Sequence, residues 1–118
     1  MIPPVEVKPS SRFLKRIKYL KKSYPHIRED VEPIIEKLRE GEILGDQIPA
    51  TGHTIYKVRI PNRDAQRGKS GGYRMIYYIR TMSKIVLLTI YSKSERVDIH
   101  PHEIQDILDE LSDEDNGE

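Results

Sequence analysis

Apolar positions near the start of the chain recur at helical spacing. Phe13, Ile17, Leu20 and Tyr24 fall at i, i+4, i+7 and i+11, one stripe of a helix. Its other face is Arg12, Lys15, Arg16, Lys18, Lys21 and Lys22. Ser10 or Ser11 offers a side-chain oxygen to cap the first turn, and Pro25 ends the helix. A second stripe follows at Ile27, Val31, Ile34, Ile35 and Leu38. Pro33 is an awkward interior residue that kinks this helix or delays its start, and Gly41 stops it. With only "SYP" between them, the two predict an antiparallel hairpin. Ahead of them "VEVK" (5–8) is β-prone and precedes Pro9, so it reads as an edge strand.

The period changes after residue 40. "GEILGDQIPATGH" (41–53) has three glycines, a proline and no sustained pattern, which predicts a loop. "TIYKVRI" (54–60) then alternates, with Tyr56, Val58 and Ile60 on one face and Ile55, Lys57 and Arg59 on the other. "GYRMIYYIR" (72–80) and "KIVLLTIYSK" (84–93), joined by "TMS", read as a hairpin. "LLTI" is apolar on both faces, as expected of a strand covered on both sides. His100-Pro101 opens a last helix with the stripe Ile104, Ile107, Leu108 and Leu111. The order β-α-α-β-β-β-α predicts an α+β fold, a mainly antiparallel four-stranded sheet with the N-terminal helix hairpin on one face. One domain is expected over residues 1–111, with 112–118 an acidic and disordered tail.

Composition narrows the class. At 118 residues the chain has room for one domain with one real core. It has no cysteine, which excludes disulfides and thiolate metal sites. No apolar run approaches a bilayer span, and "MIPPVEVKPSSRF" lacks the apolar segment of a signal peptide, so a cytoplasmic protein without membrane association is expected. The net charge of +1 hides a segregation. Nine of the 19 acidic residues fall between 98 and 118, where there is no Lys or Arg, so the rest of the chain sets 20 basic residues against ten acidic ones. A body that basic attracts polyanions or acidic partners.

The cations sit where strand parity gathers them. Lys57 and Arg59 share a face, and Arg74 lies on the same side of its strand as Ile76 and Tyr78. If these strands are neighbours, three cations converge on one patch beside the basic, glycine-rich loop that carries Lys69. Lys93 and Arg96 extend the set. Arginine presents fixed forks to phosphate oxygens and lysine a compact charge. On residues alone, a nucleic-acid surface and a solvated basic face are evenly matched.

"IYKVRI", "GKSGGYRMIYYI" and "IVLLTIYSKSERVDI", in that order, resemble the RelE/ParE superfamily of toxins from bacterial toxin–antitoxin pairs. The likeness is closest to the RelE- and HigB-like branch, with its "KxGGxRxIYY" segment and "LLTIYxKxExxDI" strand, and covers about residues 40 to 108. It implies a small ribonuclease that cleaves mRNA, in many members on the ribosome, with no metal or organic cofactor. The ribose 2′-OH attacks the adjacent phosphate, leaving a cyclic phosphate and a free 5′-OH. Carried over by position, Lys57 and Arg59 belong to the catalytic set and Arg74 stabilises the transition state, while Lys69 draws the anion in. The family's arginine after the strand-ending lysine is replaced by Ser94, with Lys93 and Arg96 the candidates to substitute for it. His100 is the nearest match to a terminal acid or stacking residue, against a plain helix-flanking role; Tyr91 is the best base-stacking candidate. Glu95 and Asp98 read as structural, pairing with Arg96 or capping the last helix. The implied partners are a cognate antitoxin from an adjacent gene, mRNA and the ribosome. The alternatives are a ParE-like toxin that inhibits DNA gyrase without RNA chemistry, and a remnant of the fold that only binds.

Overall fold

The computed structural model describes residues 4–49, 51–65 and 72–116. In chain order the elements are β1 (Glu6–Pro9), α1 (Ser11–Lys21), α2 (Ile27–Arg39), β2 (Asp46–Gln47), β3 (Ile55–Ile60), β4 (Tyr73–Thr81), β5 (Lys84–Ser92) and α3 (Pro101–Asn116). They form the expected α+β fold, but the sheet has five strands, in the order β1-β5-β4-β3-β2. All neighbours are antiparallel except β1, which runs parallel to β5.

The added strand is β2, inside the stretch read as a loop. Its two residues pair Asp46 with Lys57 and Gln47 with Tyr56, too short a run for any alternation to register. Gly45 makes this approach possible. Its φ is 87°, and a Cβ there would lie 2.2 Å from the Lys57 carbonyl oxygen.

Local sequence explains the helices. Ser10 is the N-cap of α1: its Oγ accepts from the Phe13 amide at 3.0 Å and donates to the Leu88 carbonyl at 2.9 Å. β1 pairs with β5 only as far as Pro9 and Leu87. Beyond that point α1 meets the open edge, with Arg16 Nε donating to the Ile90 carbonyl at 2.9 Å. α2 starts at Ile27 and runs through Pro33, so the proline does not delay it. Pro101 takes the first position of α3, as expected. That helix continues past Leu111 to Asn116, so residues 112–116 extend the helix where a disordered tail was expected.

The sheet carries helices on both faces. Phe13, Ile17, Leu20, Val31 and Leu38 pack on Val58, Ile60, Met75 and Tyr77, with Ile34 only partly buried. On the opposite face Ile104, Ile107, Leu108 and Leu111 of α3 cover Ile55, Ile76 and Leu88. A bulge between β4 and β5 then sets the register of everything beyond it. Tyr77 pairs with Leu87 but Ile76 with Thr89, so Leu88 is the extra residue. Because of it, Leu87 and Ile90 both face α1 and α2, while Leu88 and Tyr91 face the α3 side. Among the described residues, no helix is long and apolar enough to cross a membrane.

Candidate functional site

The α3 face of the sheet is where the strand cations meet. Arg59 of β3 lies directly opposite Arg74 of β4, and Arg74 lies opposite Tyr91 of β5. Lys57 shares the Arg59 face, opposite Ile76. Past the end of β5, Lys93 joins them. Lys57, Arg59, Arg74 and Lys93 line one cleft of about 600 Å³, walled by β2 and Ile48 on one side and by Val97 to Ile99 on the other. A second concavity, between α1, α2 and β1, has a mainly apolar lining that includes Phe13, Leu14 and Ile35, and lacks this convergence of cations.

Like charges directly opposite one another destabilise a sheet. Arg74 makes the arrangement costlier, because it is only 7% exposed. Its Nη1 donates to the Tyr73 carbonyl at 3.2 Å, and no carboxylate among the described residues reaches it. Arg59 and Lys93 likewise have no ion-pair partner among the described residues. Elsewhere five arginines are matched: Arg12 with Glu110, Arg16 with Glu95, Arg39 with Glu36, Arg63 with Asp30, and Arg96 with Glu103. The cleft thus concentrates uncompensated positive charge on rigid strands, an arrangement suited to an anion.

Among the described residues its one ion-paired cation is Lys57, whose Nζ lies 3.1 Å from Asp98 Oδ1. The same oxygen accepts from the Ile99 amide at 2.8 Å and from the Tyr91 hydroxyl at 3.3 Å. Partial burial pushes the Asp98 carboxyl up, but the Ile99 amide, Lys57 and Tyr91 outweigh it and hold it below its usual range. Burial, reinforced by the Asp98 charge and its hydrogen bond, pushes the Tyr91 phenol up to about 12.

Several expected site residues lie elsewhere. Tyr91 is 2% exposed and the Arg96 guanidinium sits 5.3 Å from its ring centroid, so the ring is not an open stacking platform. Arg96 is held by both Glu103 oxygens and by the Asp98 carbonyl, outside the cleft lining. His100 flanks α3: its Nδ1 accepts from the His102 amide at 3.1 Å and its ring stacks on that of His102. Lys69 lies outside the described residues. Ser94 turns to the α1–α2 side, where its hydroxyl meets Ser92 at 2.8 Å and Tyr24 at 3.1 Å. Of the two proposed substitutes for the missing arginine, only Lys93 reaches the cleft.

Sequence reasoning missed the β2 wall, and it missed the contact of Asp98 with Lys57. It also missed a double clamp on the chain leaving β3. His26 Nδ1 lies 2.7 Å from Asp64 Oδ1, the His26 amide donates to Asp64 Oδ2 at 2.8 Å, and Arg63 Nε donates to Asp30 at 2.7 Å. Only the acidic start of α2, Glu29 and Asp30, hinted at it.

Compared with known protein families, residues 18–114 match the model described as the RelE toxin of the RelE/RelB toxin–antitoxin system.

Proposed function

As a member of the RelE toxin family this chain is the toxin of a toxin–antitoxin pair, and we propose that it is an endoribonuclease that cleaves mRNA at the ribosome. The observation that carries the reading is the facing pair Arg59 and Arg74, with Arg74 buried and no carboxylate beside it among the described residues. Such a pair is costly in the free protein and favourable once a phosphate lies between the guanidinium groups.

In this reading the RNA supplies its own nucleophile. The 2′-oxygen forms a bond to the adjacent phosphorus, the bond to the 5′-oxygen breaks, and the products are a 2′,3′-cyclic phosphate and a 5′-hydroxyl. Water in the open cleft takes the 2′-OH proton and returns one to the 5′-oxygen. The protein's contribution is electrostatic, and this class of effect is often the largest single source of rate acceleration. Arg74 and Arg59 bracket the phosphorane, Lys93 steadies the leaving side, and Lys57 acts through its charge. Its ammonium donates to Asp98, which suits electrostatic support.

The RelE/RelB family implies an antitoxin partner. We place its inhibitory segment, acidic in character, over the basic cleft, where it excludes RNA. The decisive experiment is expression of the chain without its antitoxin, with mapping of mRNA ends on translating ribosomes. Cleavage within codons leaving 5′-hydroxyl ends is the expected result. Intact mRNA together with blocked gyrase supercoiling overturns the reading in favour of a gyrase inhibitor.

A further inference from the structure

Asp98 is the carboxylate that touches the cleft's cations among the described residues, and its surroundings are built around one oxygen. Oδ1 gathers Lys57 Nζ from β3, the Tyr91 hydroxyl from β5 and the Ile99 amide from the turn into α3. Its side chain is nevertheless 61% exposed, on the wall of the cleft. A phosphate entering there finds Arg59, Arg74 and Lys93 without carboxylate partners among the described residues, and Lys57 already committed.

We infer that Asp98 is a positioning residue: it fixes the Lys57 ammonium in the cleft, and RNA must compete with it for that cation. The catalytic half of this inference rests on the ribonuclease reading. Lysine carries a long flexible stem, and a fixed anchor removes most of the wandering that would blunt its effect on the phosphorane. The same anchor neutralises a charge that would otherwise meet a phosphate and release a counterion. Removing the Asp98 charge should therefore act in two opposite directions, strengthening RNA binding while slowing the chemical step. A carboxylate present only to cap the Ile99 amide does neither, because asparagine keeps that bond.

The test uses Asp98→Asn in the full chain. Binding is measured by fluorescence anisotropy on an RNA with a 2′-deoxy scissile nucleotide, across salt concentrations. Cleavage is measured as a single-turnover rate on programmed ribosomes at saturating toxin. The slope of log K against log salt should steepen by about 0.7, the value for one added phosphate contact on a single strand. The cleavage rate should fall roughly 10²-fold, as expected for a reacting-site group displaced by about an ångström.

Asp46→Asn is the charge control, since Asp46 pairs in register with Lys57 and lines the same cleft without an ion pair among the described residues. Its rate sets the level produced by charge alone, and Asp98→Asn should fall well below it. In a Lys57→Met background the effects of Asp98→Asn should vanish. Asp98→Glu keeps the charge but shifts it by a methylene, so it should retain the parent slope and lose rate. That variant carries the test if Asp98→Asn does not fold. An unchanged slope or rate in Asp98→Asn, an equal slope change in Asp46→Asn, or effects that survive Lys57→Met overturn the inference. A parent that binds RNA without cleaving it overturns the ribonuclease reading and the catalytic half with it; the salt slope then decides the competition for Lys57.

Discussion

Replacing Arg74 with methionine should make the protein more stable and far less active. The side chain is 7% exposed, opposite Arg59 and without a carboxylate partner among the described residues, so its charge is held against both desolvation and like-charge repulsion. Methionine keeps most of the buried stem and loses one hydrogen bond, from Nη1 to the Tyr73 carbonyl at 3.2 Å. Cross-strand charge pairs are worth about 0.2–1 kcal/mol, and relief from partial desolvation adds to that. A hydrogen bond to a carbonyl offsets about 1 kcal/mol of the gain. The net expectation is a gain of up to about 1 kcal/mol, or roughly 4 °C in Tm for a domain of this size. For activity the sign reverses. Losing one preorganised donor to a developing oxyanion typically costs about 10²–10³-fold in rate. RNA binding should change much less, because Arg59 and Lys93 remain. Thermal melts and single-turnover cleavage on the same preparation check both arms, with Lys15→Met on the exposed face of α1 as the comparison. A Tm lower by several degrees would make Arg74 a structural residue. Parent-like cleavage by a well-folded Arg74→Met would remove it from the reaction.

The His26–Asp64 clamp should depend on pH. The hydrogen bond to Asp64 chiefly raises the His26 imidazole above 6.5, and the same bond chiefly holds Asp64 below 3.8. The His26 contribution is complete below pH 6.5 and is lost as pH rises through its raised folded value; the Asp64 contribution is present above 3.8 and is lost as pH falls through its lowered one. The Tm difference between parent and His26→Ala should therefore widen from about pH 8 to about pH 5.5, and a constant difference refutes the clamp. Gly45→Ala should cost about 2 kcal/mol or more, since its Cβ meets the Lys57 carbonyl at positive φ. Gly52→Ala, also at positive φ but in open space, should cost nearer 1 kcal/mol in the same denaturant titration. Tyr73→Phe should be neutral or stabilising by up to about 1 kcal/mol, because that hydroxyl is buried with no hydrogen-bond partner among the described residues; a clear loss of Tm would reveal a partner.

The readable part of this molecule was what a period can carry. The stripes of α1 and α2 and the alternation of β3 were plain, and strand parity put Lys57 with Arg59 and Arg74 with Ile76 and Tyr78, so only the adjacency of β3 and β4 was needed to bring the three cations together. What parity cannot supply is register. That Arg59 falls opposite Arg74 depends on how two strands slide, and the position of Tyr91 depends on the bulge at Leu88, which no alternation announces. β2 escaped notice because two residues make no pattern. Asp98 escaped because its partner Lys57 is 41 residues away. Arg96 shows the converse: a loop arginine looks available until Glu103, on the first turn of α3, is folded back against it.

The charge segregation acquires a meaning from these pairings. A formal charge of +1 gives little reason to expect a polyanion ligand. Yet, besides Asp46 and Asp98 in the cleft lining, several carboxylates pair with arginines outside it: Glu103 with Arg12 and Arg96, Glu110 with Arg12, and Glu95 with Arg16. Except for Asp98, these carboxylates leave the cleft cations alone. Near a surface, a charge acts over about a Debye length of 8–10 Å at physiological salt. An approaching phosphate therefore responds first to the charges of the cleft lining, Lys57, Arg59, Arg74 and Lys93 against Asp46 and Asp98, and net charge understates the field it meets. Where the carboxylates sit, rather than how many there are, leaves this basic cleft open to an anion.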